Sequence, residues 1–149
     1  MSERLSWEDV LAARERIAPF ARKTPVDTCR TIDAACGGTV FLKCENFQRT
    51  GSFKFRGATN AIASLSPSER ARGVYAHSSG NHAQAVALAA KLHGIPAHLV
   101  MPEDSNPAKV AATRGYGAHV VFCPPTHMGR TEVAASVGVE TGAAVVPPH

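Results

Sequence analysis

The second half of the chain alternates short apolar runs with longer segments of helical periodicity. The apolar runs predict four strands, at Val74–His77, Ala97–Met101, His119–Phe122 and Ala143–Val146. The periodic segments between them predict three helices, over Asn81–His93, Asn106–Tyr116 and Thr131–Val137. Strands that alternate with helices predict an α/β fold: an open three-layer αβα parallel sheet spanning residues 73–149, with helices on both faces.

The first 72 residues follow a different pattern. Ser6 and Asp9 have the spacing of a capping box, which predicts a helix that ends at Pro19. Only Thr39–Lys43 alternates in the manner of a strand. One strand is too little sheet to bury its own faces, so we expect residues 1–72 to be the opening segment of an incomplete, larger α/β domain.

Two further helix starts are predicted in this first part. Gly51 and Ser52 indicate a turn and an N-cap for a helix that continues to about Leu65. Residues 66–69, with the sequence S-P-S-E, place an N-cap, a proline and an acid where a short helix begins.

Charge and hydropathy narrow the possible partners. The net charge is +4, but the arginines and lysines are scattered without a basic run, so we do not expect nucleic-acid binding. Residues 1–10 are polar and lack the apolar core of a signal peptide, and no apolar stretch is long enough for a membrane span. We therefore expect a cytoplasmic protein without membrane contact.

Cysteine and histidine spacing does not predict a metal site. The four cysteines form no C-x-x-C pair, which favours free thiols in a reducing compartment. The pairs His77/His82 and His93/His98 are each five residues apart, whereas zinc-binding helices use a spacing of four. We expect no metal.

Lys54 is the first candidate for chemistry. It lies in the first turn of a predicted helix between Phe53 and Phe55. The positive end of a helix and apolar neighbours both disfavour an ammonium ion, and a neutral amine is what a Schiff base with an aldehyde cofactor requires. The alternative is a surface lysine whose stem covers apolar area while its head remains in water.

The second candidate is the loop with the sequence S-S-G-N-H, residues 78–82, which joins a predicted strand to a predicted helix. Open parallel sheets bind ligands at this position. Exposed N–H groups, two hydroxyls and a glycine would suit a carboxylate or a phosphate. The same residue types also form ordinary helix-start turns, so the loop alone does not decide between the two.

The two candidate segments together carry a family resemblance. K-C-E-N-F-Q-R-T-G-S-F-K-F-R-G-A followed by H-S-S-G-N-H-A-Q resembles the threonine/serine dehydratase and serine racemase branch of the fold-type II pyridoxal-phosphate enzymes. The similarity continues through G-I-P-A-H-L-V-M-P and K-V-A-A-T-R-G-Y-G-A, so it covers nearly the whole chain.

The resemblance implies a role for each matching residue. Lys54 would form the internal aldimine with pyridoxal 5'-phosphate, and Phe53 would pack against the cofactor ring. Asn81 would bind the cofactor's phenolic oxygen and line the substrate-carboxylate loop together with Ser78, Ser79, Gly80 and His82. Lys54 would also act as the base on one face of the cofactor, and in racemases of this family the serine that matches Ser79 is the acid/base on the opposite face. The implied substrate is serine or threonine.

The resemblance also implies parts that these 149 residues do not contain. Family members bind the cofactor phosphate with a glycine-rich loop, and no such run occurs here. We therefore expect an N-terminal fragment of an enzyme, inactive alone, that associates with itself or needs a C-terminal partner. The alternatives are a non-catalytic remnant and one chain of a split enzyme.

Overall fold

The computed structural model describes residues 5–148; residues 1–4, part of the polar N-terminal segment, and residue 149 lie outside this range. The helices are α1 (Trp7–Ile17), α2 (Arg30–Cys36), α3 (Lys54–Ala63), α4 (Pro67–Arg72), α5 (Asn81–His93), α6 (Pro107–Gly115) and α7 (His127–Thr141). The strands are β1 (Val26–Thr28), β2 (Phe41–Lys43), β3 (Val74–His77), β4 (Ala97–Pro102), β5 (His119–Cys123) and β6 (Ala144–Val145). Two 3₁₀ turns, Glu45–Phe47 and Arg49–Gly51, precede α3.

Four of the strands form one parallel sheet in the order β5-β4-β3-β6. Val74 of β3 pairs with Ala97 of β4 on one side and with Ala144 of β6 on the other. His98 of β4 pairs with His119 of β5. The predicted open parallel sheet is confirmed, and all four of its strands lie where the apolar runs indicated.

The sheet is the middle of three layers. Leu99 and Met101 pack into a core with α5 and α6, whereas Val100 and Cys123 pack against α7 on the opposite face. This division follows from the two-residue period of a strand, which sends successive side chains to opposite faces. Helices on both faces were predicted, and this prediction is confirmed.

Helix α3 joins the same core as the sheet. Phe55, Ala58 and Ile62 are fully buried and pack with the alanine-rich face of α5. The division into residues 1–72 and 73–149 as two domains stays a prediction. Helix α3, from the first of these segments, packs on α5 of the second. The position of Lys54 is therefore fixed by a buried helix–helix contact.

The remaining two strands form an antiparallel pair outside that core. β2 falls within the predicted strand Thr39–Lys43, and Val26 of β1 pairs with Lys43. All six residues of the pair are exposed, including Phe41 at 70%. The apolar side chains of this pair are therefore uncovered, in keeping with a segment that has too little sheet to bury its own faces; β1 and α2 were not predicted.

Two helix starts differ from expectation. Ser52 is not the N-cap of α3: Phe53 occupies that position, and the buried Ser52 hydroxyl has no hydrogen-bond partner within the described residues. Helix α7 begins at His127, four residues before the predicted Thr131, because the Thr126 hydroxyl accepts a hydrogen bond from the Gly129 N–H and caps it. The capping boxes at Ser6 and Ser66 are confirmed.

No helix within residues 5–148 is long and apolar enough to cross a membrane.

Candidate active site

The sheet order places a crevice at the carboxyl end of β3. β4 and β5 extend the sheet on one side of β3, and β6 lies on the other, so the direction of winding reverses here. Loops that leave adjacent strands in opposite directions open a crevice at such a switch point, which is where open α/β sheets bind ligands. The loop that follows β3 and the segment that follows β6 both begin at this edge.

A pocket of about 270 Å³ lies against this crevice. Three parts of the chain build it: α3 with the residue before it, the first turn of α5 and the segment after β6. The lining is mostly apolar and consists of Phe53, Lys54, Gly57, Ala58, Ala61, His82, Pro147 and Pro148. Lys54 is the one residue of this lining that carries an amine.

Lys54 is the first residue of α3 and is half-buried. Its Nζ donates a hydrogen bond to the carbonyl oxygen of Pro148 and lies 5.0 Å from the centroid of the Phe53 ring. The two flanking phenylalanines act differently: Phe55 is fully buried in the core, whereas Phe53 is 60% exposed at the pocket. Phe55 therefore anchors the helix, and Phe53 offers an open aromatic face.

A tight turn positions the start of α3. The buried Gln48 side chain accepts hydrogen bonds from the backbone N–H groups of Arg22 and Arg49 and donates one to the Arg22 carbonyl. Thr50 and Gly51 then both adopt left-handed backbone conformations, with φ of 62° and 72°. This conformation is costly for a β-branched residue such as Thr50, so the turn is held by its surroundings.

An ion pair fixes the first turn of α3 from the other side. The Arg56 guanidinium donates two hydrogen bonds of 2.8 Å to the Glu45 carboxylate, which also accepts one from the Thr24 hydroxyl. The hydrogen bonds from Arg56 hold the pKa of Glu45 below its ordinary value. Because Arg56 follows Lys54 by two residues, this pair holds the backbone that carries the amine.

The loop after β3 runs from Ser78 to Gly80. The Ser78 hydroxyl accepts a hydrogen bond of 3.2 Å from the Gly80 N–H. Gly80 is buried and is the N-cap of α5, whose first N–H groups have no intrahelical acceptor. Ser79 and Asn81 are exposed, and their side chains make no hydrogen bond within residues 5–148. The loop therefore presents unpaired donors at the crevice, as an anion site requires.

His82 connects this loop to the segment after β6. Its ring is 5% exposed, and Nε2 lies 3.0 Å from the carbonyl oxygen of Val146. Val146 leads directly into Pro147 and Pro148, which line the pocket. The hydrogen bond thus holds one wall of the pocket against α5.

The structure brings together only part of the predicted site. Phe53, Lys54 and His82 line one pocket, while Ser79 and Asn81 lie on the adjoining loop with their side chains in solvent. The wall formed by Pro147 and Pro148 was missed, because it comes close only through tertiary folding. Among the described residues there is no group of three or more side chains that could hold a metal ion.

Comparison with known proteins shows the family of the chain. Residues 17–149 match the family model described as pyridoxal-phosphate dependent enzyme. The chain belongs to this family.

Relatives within the family support the resemblance inferred from the motifs. The chain is 51% identical over 144 residues to an L-threo-3-hydroxyaspartate ammonia-lyase of Pseudomonas sp, covering 97% of this chain and 45% of that protein. It is 48% identical to a serine racemase of Schizosaccharomyces pombe, with the same two coverages. The chain thus spans about 45% of the length of these relatives.

Solved structures agree with the fold. The threonine deaminase of T.th. superposes with a TM-score of 0.86 at 46% identity, over 97% of this chain and 45% of that one. The structural neighbours are fold-type II enzymes, as the motifs indicated. The predicted branch included threonine and serine enzymes; hydroxyaspartate lyases are relatives that the motifs did not reveal.

The family's cofactor is pyridoxal phosphate, and the pocket fits its aldehyde and ring. An aldehyde requires an amine, which Lys54 provides, and a flat aromatic ring can pack on the open face of Phe53. The rest of the lining is mostly apolar. The fit is limited to this end of the cofactor, because the sequence contains no glycine-rich run for its phosphate.

Proposed function

We propose that this chain supplies the cofactor-holding lysine and the substrate-carboxylate loop of a pyridoxal-phosphate enzyme acting on a β-hydroxy amino acid. The observation that carries the proposal is the meeting of Lys54, Phe53 and His82 at one pocket beside the switch point of the sheet. Lys54 Nζ would hold the cofactor covalently through its aldehyde carbon. Phe53 would pack on the ring, and Asn81 would bind the phenolic oxygen.

The substrate class follows from what the relatives share. Their names point to serine, threonine and 3-hydroxyaspartate, which are all α-amino acids with a hydroxyl on the β-carbon. We propose a substrate of this kind, with its α-carboxylate on the loop from Ser78 to His82. The unpaired side chain of Ser79 and the N–H groups at the start of α5 support this placement.

We propose two groups that exchange protons with the substrate, one on each face. When bound, pyridoxal phosphate supplies an electron sink for the charge left when the α-proton departs. Lys54 Nζ would take that proton on one face, and the Ser79 hydroxyl would exchange a proton on the other. Loss of the β-hydroxyl as water leads to ammonia and a 2-oxo acid, whereas return of a proton from the Ser79 side gives the opposite enantiomer.

We propose that the isolated chain captures the cofactor without sustaining turnover. Its 149 residues include the amine and the loop but no glycine-rich phosphate loop. A cofactor held mainly through Lys54 and Phe53 would be weakly oriented, and misplacement by about 1 Å is enough to lower rates by two orders of magnitude.

Covalent trapping tests this proposal at the level of single residues. The chain contains five lysines, so four of them serve as internal controls. We expect borohydride treatment after incubation with pyridoxal phosphate to modify Lys54 preferentially, as peptide mapping by mass spectrometry would show. Equal modification of the exposed Lys91 would show non-specific reaction with surface amines and would overturn the assignment.

A further inference from the structure

Gly80 and Lys109 lie in direct contact across two helices. Gly80 is the N-cap of α5, and Lys109 lies in the first turn of α6, which packs beside α5. A Cβ built on Gly80 would lie 2.8 Å from both Cδ and Nζ of Lys109. A side chain at position 80 would therefore displace the tip of this lysine, whose head group lies beside the loop that follows β3.

The Lys109 head group is a charge without a partner. Its Nζ makes no hydrogen bond and no ion pair within the described part of the chain, although Glu103 and Asp104 precede α6 in sequence. It also lies near the amino-terminal ends of two helices, where a cation is unfavourable. A cation beside the amino-terminal end of a helix is stabilised when an anion binds close to both.

We propose that Lys109 is a specificity residue that binds the substrate carboxylate on the loop from Ser78 to His82. This inference rests on the proposed function of that loop. The loop supplies neutral N–H and hydroxyl donors, and Lys109 supplies the full positive charge that selects a carboxylate over its uncharged amide. A side chain at Gly80 would displace this charge from the loop.

Ligand binding to the 149-residue chain tests the proposal without requiring catalysis. The probe is succinate, and succinamide is the uncharged control of similar shape. Amide chemical shifts of Ser79, Gly80 and Asn81 in two-dimensional NMR report binding at the loop. We expect succinate, and not succinamide, to shift these amides.

Three variants connect the binding to Lys109. Lys109→Gln should weaken succinate binding about tenfold or more, because a charged hydrogen bond is lost. Lys91→Gln, on the exposed end of α5, removes the same charge elsewhere and should leave the affinity unchanged. Gly80→Ala should weaken binding by displacing the Lys109 tip, and should add little in the Lys109→Gln background.

The outcomes separate this inference from the proposed function. If succinate shifts the loop amides equally in the wild type and in Lys109→Gln, the loop binds carboxylates and the role of Lys109 is wrong. If succinate does not shift these amides at all, both the loop assignment and the role of Lys109 are wrong. A Lys109-dependent shift in a chain that fails to capture pyridoxal phosphate would support Lys109 and contradict the role of Lys54. An additive effect of Gly80→Ala and Lys109→Gln would also contradict the proposal.

Discussion

Lys54 and Pro148 are 94 positions apart in the sequence, yet the Lys54 amine donates a hydrogen bond to the Pro148 carbonyl oxygen. The contact closes one side of the pocket and ties the start of α3 to the segment after β6. The same nitrogen is the atom proposed to hold the cofactor, so binding of the aldehyde must release it from Pro148. The wall of the pocket and its reactive group are therefore in direct contact.

The pocket wall formed by Pro147 and Pro148 should depend on the hydrogen bond made by His82. The His82→Ala change removes the hydrogen bond to the Val146 carbonyl and opens a gap beside α5. We expect the free energy of unfolding to fall by about 1–3 kcal/mol, because the carbonyl loses its buried partner. Urea denaturation measures this, and Ser79→Ala, at an exposed position on the same loop, should change stability by less than about 0.5 kcal/mol. Equal effects of the two changes would contradict the account of His82.

The ion pair beneath Lys54 predicts a pH dependence of stability. The folded pKa of Glu45 is lowered, chiefly by its hydrogen bonds from Arg56. A lowered folded pKa gives stability that is complete above the unfolded value of about 4.3 and is lost as the pH falls through the folded value. Glu45→Gln should therefore cost about 1 kcal/mol at pH 7 and progressively less below pH 4, measured by urea unfolding at each pH. A cost that does not change with pH would exclude the charge as its cause.

Replacing either of two helical glycines by alanine should change the free energy of unfolding, in opposite directions for the two positions. A Cβ on Gly138 would lie 2.8 Å from the Tyr75 ring, whereas one on Gly115 meets nothing within 4 Å. We expect Gly138→Ala to lower the free energy of unfolding by about 1–3 kcal/mol through overpacking. Gly115→Ala should raise it by about 0.5 kcal/mol, because alanine loses less backbone entropy in a helix. Thermal and urea unfolding of the pair test the packing of α7 on the sheet.

The exposed apolar residues of the first part predict self-association. Trp7, Phe41 and Phe47 are between 59% and 70% exposed, and Val26 is 57% exposed. We expect the isolated chain to form oligomers in sedimentation experiments, since uncovered apolar surface of this kind promotes association.

A substitution on β2 tests whether this exposed strand is the surface that causes self-association. Phe41→Lys should shift the chain toward the monomer without lowering its stability, because the side chain is exposed. Val139→Lys, at an 86% exposed position on α7, is the matched control and should leave association unchanged. A wild-type chain that sediments as a single monomer would contradict the prediction.

The sequence predicted the elements whose signals are local. β3 and α5 have the predicted bounds, because an apolar run, a glycine-containing loop and the terminal Gly94 mark them. β1 and α2 were not predicted. β1 is a three-residue strand whose residues are all exposed, so it shows no alternation of apolar and polar positions. Gly129 lowers the helix propensity of the first turn of α7, and this concealed its start.

The site was predictable only as separate segments. The residues at positions 53–54 and 78–82 could be singled out because their types and spacing match a family pattern. The contacts of Lys54 with Pro148 and of Gly80 with Lys109 join distant parts of the chain, and nothing in the local sequence encodes them. The local sequence does mark Lys109 in one way. A lysine in the first turn of a helix is electrostatically unfavourable, which indicates that an anion could bind beside it.

The visible absorbance of the chain incubated with pyridoxal phosphate tests the central claim most directly. The wild type and Lys91→Ala should both develop a band from a carbon–nitrogen double bond between the lysine amine and the aldehyde carbon, and Lys54→Ala should not. Borohydride should abolish the band. If Lys54→Ala gives the same band as the wild type, the pocket does not hold the cofactor through Lys54, and the proposed function of this chain is wrong.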